Sequence, residues 1–145
     1  MSATHLLDVN LLIALVREDH VAHKSAKRWF AEVGSQSWAT CAMTEASFVR
    51  IISSPRFLAH PPDIAEALRM LEILTRLPGH HFWMSEVGFV KAVEPLMERF
   101  FGHQQVTDAY LLGLAISKKG KLATLDRGFK LLAGGKLRDH LEVLS

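Results

Sequence analysis

Apolar residues in this chain fall in short runs between polar breaks, and the runs switch between strand-like and helical spacing. His5-Leu6-Leu7 reads as a short buried strand; after Asp8, the run Leu11–Leu15 resumes as a helix with Asn10 in a capping position. Ala22, Ala26, Trp29, Phe30 and Val33 recur at helical spacing, which predicts a second helix over 21–33 stopped by Gly34. The stretch QSWAT, 36–40, reads as a second strand. Ala46, Val49 and Ile52 mark a third helix that ends near Pro55, since the residue before proline avoids the α region.

Pro61-Pro62-Asp63 opens the next helix, whose stripe is Ile64, Ala67, Leu68, Leu71, Leu74 and Leu77. His80–Trp83 is a third, four-residue strand. Val90, Val93, Leu96, Met97, Phe100 and Phe101 predict one helix running to Gly102. From Val106 the most apolar helix of the chain extends to Lys118-Lys119-Gly120, cations and glycine at the end the dipole favours. Lys121–Leu125 is a fourth strand, 127–132 a short helix and Leu141–Leu144 a closing strand. Strands alternating with helices predict an α/β fold: one domain over 1–145, an α/β/α sandwich with a mainly parallel sheet.

Bulk properties narrow the setting. A chain of 145 residues, 49% hydrophobic, has enough apolar material for a proper core and is not disordered. A net charge of +2 permits nucleic-acid contact without arguing for it. Cys41 is the only cysteine, which rules out an internal disulfide framework and suits a reducing cytosol. The first residues carry no basic leader, and the longest apolar runs are far short of a membrane span. The expectation is a soluble cytoplasmic domain that makes no contact with membrane.

The candidate chemistry lies in acids at unusual places. Asp8 and Asp126 each follow a predicted strand, Asp108 opens the most buried-looking helix, and Glu45 sits in the first turns of the helix after strand two. Strand C-termini and helix N-termini share one edge of a parallel sheet, where ligands of open α/β folds bind. Each acid alone is explained as well by neutralising a helix N-terminus. Four on one edge repel unless a cation neutralises them, and Mg²⁺ or Mn²⁺ matches such oxygen donors. Arg50, Arg127 and Lys130 follow the acids closely and are candidates for phosphate contact.

Taken together, LLDVNLLIAL, TEASFVR, VTDAYLLGLA and ATLDRGF resemble, in order and over nearly the whole chain, the four motifs of the PIN domain, specifically the VapC toxin family. That resemblance implies a Mg²⁺-dependent endoribonuclease, the toxin of a toxin–antitoxin pair, that cleaves RNA with a metal-activated water. It implies Asp8 and Asp108 as principal metal ligands, with Glu45 and Asp126 completing a catalytic quartet. Asn10 and Thr124 match the family's accompanying polar positions; Leu125 stands where the family usually shows Phe. A VapB-type antitoxin and a second copy of the chain are the implied protein partners.

Other readings fit less well. A phospho-receiver module needs two adjacent acids after strand one and an Asp after strand three, and neither is present. A non-catalytic RNA- or protein-binding domain on the same fold is the alternative that survives, and it predicts RNA binding insensitive to metal removal. The eight histidines include no HExxH pattern and lack cysteine company, which disfavours zinc. His20 and His23 read as helix-start or packing residues and His103 as a possible substrate contact; Cys41 and the three tryptophans read as packing.

Overall fold

A computed structural model describes residues 3–145. Its centre is a five-stranded, all-parallel sheet: β1 (His5–Leu7), β2 (Trp38–Cys41), β3 (His80–Trp83), β4 (Lys121–Thr124) and β5 (Leu141–Val143), in the spatial order β3-β2-β1-β4-β5. Parallel strands need crossovers, and helices supply them on both faces. On one side pack α1 (Val9–Val16), α2 (His23–Glu32), α3 (Ala42–Ile52) and α4 (Ile64–Thr75). On the other lie α5 (Phe89–Val93), α6 (Val106–Ser117) and α7 (Phe129–Ala133). Neighbouring strand residues point to opposite layers: Leu6 and Leu122 join the α6 side, Leu7 and Ala123 the α1 side. Both faces are covered, so the strands are apolar throughout rather than alternating. The expected sandwich is therefore observed, and its sheet is parallel throughout.

Two expectations about elements need correction. The single helix expected over 90–101 is α5 followed by a 3₁₀ segment, Glu94–Arg99. Pro95 has no N–H to donate and its ring crowds the preceding turn, so the α ladder stops there and Phe101 is left exposed. The α4 stripe is also only half covered. Ala67 and Leu74 are buried, whereas Ile64 and Leu68 remain 56% and 52% exposed, because no described residue covers that end of the stripe.

The topology selects one location. The chain builds β1, β2 and β3 outward in one direction, then returns to lay β4 on the opposite flank of β1. That reversal makes the C-terminal ends of β1 and β4 the switch point, the crevice where open α/β sheets place ligands. Helix α6 aims at the same edge. It is joined to β4 by a three-residue turn and packs on β4 and β1. Running opposite to β4, it puts its N-terminus at the strand's C-terminal end. It is buried on nearly every side from Ala109 to Ala115, and Gly113 lies so close to α5 that an added Cβ would stand 2.2 Å from the Ala92 carbonyl oxygen. Among the described residues no helix is long and apolar enough to cross a membrane.

Candidate active site

Asp8 ends β1 and caps α1. Its backbone is extended (φ −64°, ψ 155°), its carbonyl receives the Leu12 N–H, and its Oδ1 accepts the Val9 N–H at 2.8 Å. Asn10, expected as the cap, is instead the second residue inside α1 and is exposed. The helix starts two residues earlier than the apolar run suggests, because Asp8 leaves the strand and its carboxylate accepts the Val9 N–H. Asp8 is only 5% exposed. Its second oxygen, Oδ2, accepts the Thr124 hydroxyl at 2.8 Å.

Thr124 joins two acids. While its hydroxyl donates to Asp8, its Oγ1 accepts the Asp126 N–H at 3.0 Å. Asp126 then closes its own turn, its Oδ1 accepting the Gly128 N–H at 2.8 Å. Asp108 reaches the group from the first turn of α6. The three carboxylates are electrostatically coupled. Burial is the main reason the Asp8 carboxyl is raised above its ordinary pKa; its bonds from Thr124 and Val9 oppose this and the Asp126 charge adds to it. Asp108 is pushed up to about 6, first by burial and then by the charges of Asp8 and Asp126. It is raised even though a helix N-terminus favours a negative charge. None of the three forms an ion pair with Lys or Arg among the described residues.

Glu45 is held differently. It lies in the first turns of α3, on the same sheet edge, and its Oε2 accepts the hydroxyl of buried Thr40 at 2.6 Å. The same Thr40 Oγ1 is 2.8 Å from Nε2 of His80, at the start of β3. No bond or charge coupling joins Glu45 to the three aspartates among the described residues. Thr40 and His80 are the site residues that sequence reasoning missed. A hydroxyl in an otherwise apolar strand five residues before Glu45 was the available signal; His80 becomes its neighbour only through β2–β3 pairing.

A family model for the PIN domain matches residues 5–135. The chain is 39% identical to Ribonuclease VapC44 of Mycobacterium tuberculosis over 96% of its own length and 98% of the relative's. The chain belongs to the VapC family of PIN-domain proteins. It is also 41% identical to Ribonuclease VapC29 of the same organism, over 90% of this chain and 92% of that one. Among solved structures, the Rickettsia felis VapBC2 structure bound to a promoter DNA fragment matches with a TM-score of 0.64 at 13% identity, covering 98% of this chain and 99% of that one. M. tuberculosis VapC20, described as a sarcin–ricin loop cleaving toxin, matches with a TM-score of 0.60 at 17% identity, over 90% and 95% of the two chains. At such identities these two establish the PIN-like fold alone.

The donor set of this PIN domain suits a hard cation. Every candidate ligand is a carboxylate oxygen, and the three aspartates hold an excess of negative charge that an ion would relieve. Among the described residues no three His, Cys, Asp or Glu side chains are gathered closely enough to ligate one ion together.

The remaining candidates are spread out. Arg50 lines an open, largely apolar groove of about 810 Å³ between α3 and α4, together with Glu45, Ile64, Leu68 and Phe82. Arg127 is exposed in the turn next to Asp126. Lys130 lines a separate cleft with Arg138, Leu141 and Val143. Thr124 is fully buried and uses its hydroxyl within the site rather than toward an open face. His20 and His23 serve the α1–α2 turn, His20 Nδ1 accepting the Ala22 N–H and His23 Nδ1 donating to the Ala14 carbonyl at 2.7 Å. Cys41 is buried, Trp38 is fully buried, and Trp83 is nearly so.

Proposed function

We propose that this chain is a Mg²⁺-dependent endoribonuclease, the toxin of a VapBC-type pair, restrained by a cognate VapB-type antitoxin. The observation that carries this reading is the aspartate trio. Asp8, Asp108 and Asp126 come from three separate elements to the switch point of the sheet, and among the described residues none of them pairs with Lys or Arg. A protein keeps such an arrangement at a cost in stability, which makes it a functional site by preference.

Asp8 and Asp108 would hold the ion, Mg²⁺ or Mn²⁺, with Asp126 acting through water. When bound, that ion supplies Lewis acidity toward a phosphodiester and lowers the pKa of a water that it carries. The chain's own residues do the rest. Val9 and Thr124 each donate to one oxygen of Asp8 and so fix the rotamer of its carboxylate. Glu45 would serve as the general base through Oε1, the oxygen that Thr40 leaves free. Arg50, Arg127 and Lys130 would steer the RNA backbone, and exposed Asn10, two residues after Asp8, would meet substrate. Unpaired loops are the expected substrate class, since their bases and phosphates can be splayed across an open edge. The exposed apolar groove between α3 and α4 supports a protein partner, the antitoxin or a second copy in a homodimer.

The test is cleavage mapping on total RNA. Discrete cleavage in Mg²⁺ is expected, abolished by EDTA and reduced about 10²–10⁴-fold in Asp108→Ala. RNA binding without cleavage, unchanged by EDTA, would establish the non-catalytic alternative. Cleavage by Asp108→Ala at the wild-type rate would remove the site from the reaction.

A further inference from the structure

Thr40 sits between an acid and a base and can satisfy both in only one way. Its single hydroxyl proton goes to Glu45 Oε2, 2.6 Å away, so the 2.8 Å contact with His80 needs the proton on Nε2 of the imidazole. The direction is thereby fixed: His80 Nε2–H donates to Thr40 Oγ1, and Thr40 O–H donates to Glu45. Each member is held in turn. Thr40 is fully buried in β2, and the His80 ring packs on Trp38 at a centroid distance of 4.7 Å. Burial pulls the His80 pKa below its ordinary value, against the pull of Glu45, and this keeps the ring neutral with one donor nitrogen and one acceptor.

The chain of bonds engages Oε2 of Glu45 and leaves Oε1 without a hydrogen bond among the described residues. A glutamate has three side-chain torsions and is costly to hold in one rotamer, so an acid that must meet a water or a phosphate gains from a second tether. We propose that His80 and Thr40 are positioning residues for Glu45: the relay His80–Thr40 locks one carboxylate oxygen so that the other is the working atom of the nuclease. This rests on the ribonuclease reading above. Neither residue touches substrate; both act through Glu45.

The variants are Thr40→Val and His80→Leu, which remove the hydroxyl and the donor, beside the conservative Thr40→Ser and His80→Gln, which keep them. On a quenched fluorescent single-stranded RNA of mixed sequence in Mg²⁺, Thr40→Val and His80→Leu are each expected to lower kcat about 10–100-fold, as loss of an orienting partner does, with KM unchanged. Thr40→Ser and His80→Gln should recover most of the rate. Thr40→Val should cost nothing further in a Glu45→Gln background, because both changes break the same tether. Equal rates for Thr40→Val and wild type, or additive losses in the double variant, would overturn the proposal.

A second readout needs no turnover. Histidine ring ¹⁵N spectra of the metal-free protein should show His80 neutral and protonated at Nε2, with that proton slow to exchange, and the slow exchange should vanish in Thr40→Val. A His80 ring protonated at Nδ1 alone would overturn the relay. If the wild-type protein cleaves no RNA, the ribonuclease reading fails, and the ring spectra still decide whether the relay exists.

Discussion

Asp8 and Glu45 invite comparison, because each follows a central strand of the sheet on one edge and each accepts a buried threonine hydroxyl, at 2.8 and 2.6 Å. Their surroundings diverge. Behind Asp8 the threonine turns to another acid, receiving the Asp126 N–H, and Asp108 adds a third charge. Behind Glu45 the threonine turns to an imidazole, which donates to it. One half of the edge therefore gathers carboxylates whose charge is relieved by protonation or by a bound cation. The other half ties one oxygen of a single acid, leaves the second without a bond among the described residues, and borders an apolar groove. The same local device, a carboxylate tied to a hydroxyl, serves to concentrate charge in one place and to orient a single acid in the other.

The sharpest way to break this contrast is to cut the β4 tether. Thr124→Val removes the donor to Asp8 and the acceptor for Asp126 while keeping the side-chain shape. Loss of an outer partner of a metal-binding carboxylate lowers activity about 10–100-fold. We expect that loss to be accompanied by a weaker Mg²⁺ affinity, measured as the Mg²⁺ concentration for half-maximal cleavage. Thr40→Val on the other half should lower the rate without moving that concentration. An unchanged Mg²⁺ requirement in Thr124→Val would erase the distinction between the two halves.

Much of this layout was legible in the chain because it rests on local chemistry. Short apolar runs set the strands, Gly120 and the lysines before it stop α6, and the acids stand out because carboxylates are poor choices beside buried strands. What escaped is what pairing and packing decide. His80 meets Thr40 only because β3 pairs with β2 in a register that sets Trp38 against His80 and Thr40 against Phe82. The α4 stripe promises burial along its whole length, yet coverage depends on which helices arrive, and none covers Ile64 and Leu68. Six apolar residues at helical spacing over 90–101 predict one helix, and Pro95 among them divides it.

The cost of the charged half is measurable in the protein without metal. Asp108 titrates at about 6 in the fold, raised from 3.8, so the folded state holds its proton more tightly than the unfolded chain does. Stability from this group is therefore full below about pH 4 and is lost as pH rises through 6. Asp108→Asn, which cannot ionise, should be more stable than wild type above pH 6 in EDTA, by about 1 kcal/mol because solvent screens a half-buried carboxylate, with the advantage vanishing toward pH 4. Denaturant unfolding across that range measures it. A constant difference at every pH would mean that Asn merely packs better and that the aspartates do not repel.

The smallest effect belongs to Asn10. Two residues beyond Asp8 and exposed, it accepts none of the bonds that start α1, since Val9 N–H goes to Asp8 Oδ1 and Leu12 N–H to the Asp8 carbonyl. Asn10→Ala should therefore change unfolding stability by no more than about 0.5 kcal/mol, the ordinary size for a surface substitution away from caps and core. Removing a true N-cap costs about 1 kcal/mol, so the two cases are separable by equilibrium denaturation. Any loss from Asn10→Ala should appear instead in KM for RNA, because the proposed function gives this exposed amide a substrate to bind. A stability loss of cap size with KM unmoved would return the capping role to Asn10 and leave Asp8 with the metal alone.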